Sequence, residues 1–227
     1  MDEGSVRHLY VQYGCGFSVG EGWLNFDASP TLRIERIPFF GNLISAALSG
    51  NRERFPASVR YGDICKGPLV PAGTAEGVYA SHVLEHLSLS DFRRALANTY
   101  TMLADGGVLR LIVPDLFERA CKYVSTAEEN PTAAEEFVRA TMLGKEYHPR
   151  GVWGILSDIF GNSDHLWMWD ETSITKELKS LGFILIRRCN LGDSGISMFD
   201  AVEDSSRFYD THLGIQECAM EARKPLK

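Results

Sequence analysis

Leu9-Tyr10-Val11-Gln12-Tyr13-Gly14-Cys15-Gly16 is a short apolar run that stops at two glycines spaced by one residue. Glycine has no Cβ and tolerates positive φ, so such a pair lets a strand turn sharply and lets backbone approach a ligand closely. A second short run, Gly22-Trp23-Leu24-Asn25-Phe26-Asp27, ends in a carboxylate. Together the two sketch a nucleotide-type pocket. The interval from Gly16 to Asp27 is about half the roughly 20 residues that separate a glycine fingerprint from the ribose-binding acid of a dinucleotide fold. The first crossover helix is therefore expected to be very short or absent.

With 227 residues, 44% of them hydrophobic and 23% charged, the chain is long enough for one substantial core, and a single domain over residues 1–227 is expected. A net charge of -7 argues against a protein that neutralises nucleic-acid phosphates or anionic lipid and favours a small-molecule partner. Five scattered cysteines without a CxxC pair suggest neither a disulfide framework nor a zinc knuckle, and no metal ligands are assigned. No apolar run approaches the roughly 20 residues that span a bilayer, and Asp2 and Glu3 stand where a signal peptide is basic. A cytoplasmic protein is expected.

Beyond Asp27 the pattern alternates. Phe39, Phe40, Leu43, Ile44, Ala47 and Leu48 fall at helical spacing, either as a lid near the pocket or as a helix on one sheet face. A short third strand leads to Gly62-Asp63-Ile64, and Gly77 to His82 reads as a fourth strand. Ser88 or Ser90 caps a helix carrying Phe92, Ala95, Leu96, Thr99, Tyr100 and Leu103, ended by Asp105-Gly106-Gly107. Val108 to Val113 is a buried strand closed by Pro114. Two helical stripes follow, Phe117, Ala120, Cys121 and Val124, then Ala134, Phe137, Val138, Thr141 and Met142. Gly144 to Trp169 reads as ordered loop. Thr172 or Ser173 caps a last helix with Ile174, Leu178 and Leu181, Phe183 to Ile186 is the sixth strand, and Gln216 to Ala222 is a final edge strand.

Strands alternating with helices imply a mostly parallel sheet with helices on both faces, and in such sheets ligands bind beyond the carboxyl ends of the strands. Gly14, Cys15, Gly16, Asp27, Asp63, Ser81 and His82 all fall at those ends. That constellation, with the Leu103-Ala104-Asp105-Gly106-Gly107 turn and the terminal Glu221-Ala222-Arg223-Lys224-Pro225, resembles the class I S-adenosylmethionine-dependent methyltransferases, close to their type-11 and glycan-cluster branches. The resemblance implies a Rossmann-like seven-stranded sheet whose last strand runs antiparallel beside the sixth. It also implies cofactor contacts from Tyr13, Gly14, Cys15, Gly16, Asp27, Ala28, Asp63, Ile64, Ser81 and His82. Asp27 would accept from the ribose hydroxyls and Asp63 from the adenine amino group. The insertions at about 30–58 and 115–169 would form the lid and the acceptor site.

If the acceptor is a hydroxyl, a base helps, and His82, His148 and His165 are the candidates, although histidines also serve as loop hydrogen-bonding groups. His165-Leu166-Trp167-Met168-Trp169-Asp170 is either an acceptor wall or a lid packed on the sheet. The resemblance favours O-methylation of a sugar or small metabolite. Two alternatives stand beside it. For an NAD(P)-dependent oxidoreductase the third fingerprint glycine would fall at Val19, with Gly20 one place late. The other is a catalytically silent relative acting as a partner subunit.

Overall fold

In the computed structural model, which describes residues 9–37, 54–145 and 164–227, the opening run is β1 (Leu9–Tyr13). It belongs to a seven-stranded sheet of order β3-β2-β1-β4-β5-β9-β6. The other members are β2 (Leu24–Asp27), β3 (Arg60–Tyr61), β4 (Ala75–Ser81), β5 (Leu103–Val113), β6 (Ile184–Arg188) and β9 (Cys218–Arg223). A small hairpin, β7 (Tyr209–Asp210) with β8 (Ile215–Gln216), lies between β6 and β9 in the chain. Pairing is parallel from β3 through β5 and antiparallel where β9 meets β5 and β6. The architecture is the expected Rossmann-like one, with helices flanking the sheet. One placement differs: the last strand is not an edge but is inserted between β5 and β6. Cys218, Ala219, Met220 and Ala222 are all buried, as in a strand covered on both faces, and β6 is left as the edge.

The helices form where caps and apolar stripes agree. Ser29 caps α1 (Pro30–Glu35), and Ser88, of the two serines proposed, caps α2 (Leu89–Met102) by accepting from the Asp91 N–H. α2 buries the expected Phe92, Ala95, Leu96 and Thr99. It stops earlier than the Asp105-Gly106-Gly107 turn, because Leu103 already pairs with Ala75 and residues 104–107 bulge before Val108 meets Gly77. The cap of α5 (Glu171–Ser180) is Asp170, in place of Thr172 or Ser173, with Ser173 completing a capping box.

The apolar stripe of α3 (Leu116–Thr126) faces outward: Phe117 is 60% and Val124 72% exposed. The inward side is taken by Arg119, which forks onto Glu217 at 2.8 and 2.9 Å, so a buried ion pair sets the rotation of this helix. α4 (Ala133–Thr141) packs on α3 through Tyr123 and Phe137, and of its own stripe Thr141 is buried while Val138 and Met142 are exposed. The helix expected over Phe39 to Leu48 lies outside the described residues.

The two faces of the sheet are closed differently. On one, α2 and α5 bury a large apolar cluster in which Trp169 stacks on Phe92 at 3.8 Å. On the other, residues 14–23 between β1 and β2 contain no helix, as expected. That face is covered by Trp23 and by the chain after β6, including a 3₁₀ turn, Ser197–Ala201, that buries Phe199. The Trp23 indole N–H donates to the Met198 carbonyl. Beneath them Arg110 of β5, only 1% exposed, pairs with Glu203 at 2.6 Å, Glu221 at 2.7 Å and Asp193 at 3.0 Å.

Arg187 also pairs with Glu221 and Asp193, so Glu203 is the carboxylate that loses its arginine if Arg110 is removed. Arg110→Met is expected to cost about 3–5 kcal/mol in urea denaturation, and the double variant with Glu203→Gln to recover a large part of it. A single-variant loss below about 1 kcal/mol would show that the pairing does not hold this segment down.

Candidate active site

The glycine loop is shaped by two different constraints. Gly14 has φ +63°, and a Cβ there would lie 2.3 Å from Cγ2 of Val83, so both conformation and packing require glycine. Gly16 has φ +55° with nothing within 4 Å of the Cβ position, so that side of the loop is open. The loop amides turn inward. Cys15 donates its N–H to the Phe26 carbonyl, and Gly16 donates to Oδ2 of Asp27 at 2.9 Å. Oδ1 of Asp27 accepts from the Ser29 N–H at 2.7 Å. Each carboxylate oxygen keeps a second lone pair for a ligand hydroxyl.

At the carboxyl ends of β1, β2 and β4 these residues wall a cavity of about 300 Å³. It gathers Tyr13, Gly14, Gly16, Asp27, Ala28, Asp63, Ile64 and His82 from the candidates named above. The Tyr13 ring is itself in the core, its hydroxyl accepting from Thr99. Asp63 accepts from the Cys65 N–H and pairs with Lys66 at the surface. Cys15 and Ser81 line a neighbouring cavity of about 580 Å³, which shares Gly14, Gly16 and His82 with the first. Burial, reinforced by Asp27, pushes the Cys15 thiol up to about 12, so it is not a nucleophile at neutral pH.

A third cavity, of about 760 Å³, lies over the ends of β4 and β5 and includes His82, His165, Arg119, Lys122 and His212. His82 thus borders all three spaces. Its φ of +50° is rare for a residue with a Cβ, and it is held by its N–H to the Ile112 carbonyl and by Nε2 against the Arg207 carbonyl at 2.9 Å. Burial opposes its charged form, but the Glu85 carboxylate beside the ring outweighs that and raises its pKa. His165 is buried with Nδ1 on the Thr141 carbonyl, and burial lowers its pKa. His148 lies outside the described residues. Of the aromatic run, Trp169 packs in the core and Asp170 caps α5, so His165 is the member that reaches a cavity.

Sequence reasoning passed over Arg207, Glu203 and Asp204, which wall the 580 Å³ cavity, because they approach His82 from more than a hundred residues away. Glu85 and His86 stand on the 3₁₀ turn that follows β4. The signal present was the spacing His82-Val83-Leu84-Glu85-His86, which places three ionisable side chains on one short turn. The oxidoreductase alternative loses its physical basis, since a dinucleotide site sets its pyrophosphate on the helix that follows the glycines and none follows here.

No curated protein matches the chain in sequence. Among solved structures it is similar to the CurJ carbon methyltransferase, at 14% identity and TM-score 0.47, covering 99% of this chain and 50% of that one. It is also similar to an Archaeoglobus fulgidus SAM-dependent methyltransferase, at 15% identity and TM-score 0.47, covering 96% and 86%. A third is Haemonchus contortus phosphoethanolamine N-methyltransferase 2, solved with phosphomonomethylethanolamine and S-adenosylhomocysteine, at 14% identity and TM-score 0.49, covering 96% and 49%. The chain spans about half the length of the first and third of these. The model of a methyltransferase domain matches residues 24–187, well over half of the chain. By that match the chain belongs to the methyltransferase-domain family.

Proposed function

We propose that this chain transfers a methyl group from S-adenosylmethionine to an oxygen of a sugar or other small polar metabolite. The observation that carries the reading is the chemistry of the 300 Å³ cavity. Two carboxylates, Asp27 and Asp63, line it, the Cys15 and Gly16 amides of its glycine loop are taken by Phe26 and Asp27, and the start of α1 that borders it, at Ser29 and Pro30, has its Ser29 and Thr31 N–H groups bonded to Asp27 and to the Ser29 hydroxyl. That acceptor-rich lining suits a ligand with hydroxyls and a positive charge better than a pyrophosphate. The open face of Gly16 supplies the close approach.

When bound, the cofactor supplies a methyl group already activated on a sulfonium, so the protein's task is alignment and exclusion of water. In this reading Asp27 accepts from the ribose hydroxyls and Asp63, beside Ile64, from the adenine amino group. Gly14, Gly16 and Ala28 lie against the backbone of the ligand, and Tyr13, Cys15 and Ser81 close the strand ends around it. The acceptor enters the 760 Å³ cavity, whose charged lining favours a polar molecule over a lipid. His82 stands between the two spaces. Its Nε2 faces a carbonyl, which can only accept, so Nδ1 carries the lone pair able to take the acceptor's proton as the new carbon–oxygen bond forms. His165 and the segment 115–169 shape the acceptor side, with His148 in the same segment. Among the described residues no helix is long and apolar enough to cross a membrane. The described cysteines are all free, in keeping with a cytoplasmic setting.

The decisive experiment mixes the purified chain with labelled S-adenosylmethionine and a panel of sugars, phenols, amines and carboxylic acids. Transfer to a hydroxyl compound is the expected result; transfer to nitrogen or carbon only would replace the acceptor class. Cofactor binding without any transfer would favour the silent relative. Within the cavity, Asp63→Asn is expected to weaken S-adenosylhomocysteine binding about 10-fold or more by calorimetry, the worth of one hydrogen bond to a charged group. Gly16→Ala should reduce the same affinity at a folding cost of only about 1–2 kcal/mol, whereas Gly14→Ala, forced against Val83, should lower stability by more than that. Unchanged affinity in both Asp63→Asn and Gly16→Ala would move the cofactor out of this cavity.

A further inference from the structure

We infer that Glu85, His86 and His165 form a binding site for one divalent transition-metal cation, such as zinc or manganese. The place of this site beside a methyl-transfer centre rests on the function proposed above; the site itself rests on its own geometry. One ligand atom from each of the three residues lies within 4.8 Å of the others. Glu85 is completely buried, yet among the described residues neither of its carboxylate oxygens accepts a hydrogen bond. The nearest cationic candidates are His82 Nδ1 at 3.6 Å and His86 Nε2 at 3.9 Å, both beyond hydrogen-bonding distance. A buried carboxylate that accepts no hydrogen bond is costly, so the arrangement calls for more positive charge at this point than the His82 ring at 3.6 Å supplies.

The histidines are oriented to share that charge. His86 Nδ1 faces the Asp164 carbonyl at 2.9 Å, and His165 Nδ1 faces the Thr141 carbonyl at 2.8 Å. A carbonyl has no proton to give, so in each ring Nδ1 carries the hydrogen and Nε2 keeps the lone pair. Fixing a metal-ligating imidazole through its other nitrogen to a carbonyl is the usual way such rings are held. The two rings meet edge to face at 5.0 Å, with Glu85 beside both. Three acceptors converge, and among the described residues no donor hydrogen-bonds to the carboxylate that they share. Two imidazoles and a carboxylate suit zinc, manganese or iron(II), and three protein ligands leave a coordination position open. His86 lines the cofactor cavity and His165 the 760 Å³ cavity, so the open position lies where an oxygen of the acceptor would arrive. A cation there would hold that oxygen and favour its deprotonated form.

The test uses the full chain stripped with a chelator and titrated with Zn²⁺ or Mn²⁺ alone, with calorimetry and elemental analysis as readouts. One equivalent bound, with a rise in melting temperature, is the expected result. Glu85→Gln, which keeps the packing, and His165→Ala are each expected to lower metal affinity by more than the roughly 10–100-fold typical of second-shell losses. His86→Ala provides a third variant on a half-buried side chain, should either of the buried ones fail to fold. Failure of the stripped wild-type chain to bind either cation, or undiminished binding in folded Glu85→Gln, overturns the site. Stoichiometric metal binding with no methyl transfer to any acceptor would leave the site standing and remove the proposed function instead.

Discussion

Arg110 projects from the middle of β5 into a cluster of three carboxylates, and the closure of one whole face of the sheet depends on that pairing. Parallel strands are ordinarily joined by a crossover long enough to lay a helix on the sheet. Here β1 reaches β2 through residues 14–23 with no helix, and the loop is instead folded on itself around Asn25, whose side chain binds Gly20 and Trp23. The face above Tyr79, Val108 and Ile112 therefore has to be covered from elsewhere. The chain between β6 and β9 does so, with Phe199 and Phe208 supplying apolar area and Arg110 fixing the connection through Glu203, Asp193 and the Asn190 carbonyl. Burying a guanidinium is expensive, and the expense is tolerable only because several carboxylates and the Phe199 ring converge on it.

That substitution of one covering element for another reaches into the site. The same segment ends in α6 (Ser205–Phe208), and its Arg207 carbonyl receives Nε2 of His82 while Glu203 and Asp204 wall the cavity beside the glycine loop. His82 holds a left-handed backbone that a residue with a Cβ adopts at a cost of about 1–2 kcal/mol. The contacts on both sides of it, to Ile112 and to Arg207, keep it there. The piece of chain that repairs the sheet is thus also the piece that positions the residue shared by all three cavities.

Much of the fold was legible because local signals agreed with one another. The apolar run to Tyr13, its glycines, the early Asp27 and the stripe of α2 each point to the same alternating sheet. The short crossover could be read from spacing alone. What could not be read depended on partners distant in the chain. Phe117 and Val124 form a convincing apolar stripe, but the buried fork between Arg119 and Glu217 turns α3 so that the stripe faces out. The last strand looks like an edge in sequence because nothing local says that β6 will lie outside it. Asp170 caps α5 ahead of two equally plausible hydroxyl residues because its own N–H can bond back to Ser173. In the site, the cavity residues at strand ends were recoverable from the order of elements. Glu85 and His86 were visible as a motif but not as a cluster, since His165 joins them from far along the chain.

The glycine loop itself shows how a helix-free connection restricts the ligand. In a dinucleotide site the helix after the glycines directs its free N–H groups and its dipole at a pyrophosphate. This loop has neither: no helix follows, the Cys15 amide is used by Phe26, and the Gly16 amide is used by Asp27. The surface it presents to the cavity is the open flank of Gly16 beside the carboxylates of Asp27 and Asp63. A phosphate placed there would meet the negative charge of Asp27 and Asp63. A ribose would find acceptors for both hydroxyls, and a sulfonium would find a field of the right sign. S-adenosylmethionine carries both of those groups and no phosphate. The shortened crossover, which departs from the dinucleotide pattern, is therefore consistent with this cofactor on physical grounds independent of the family match.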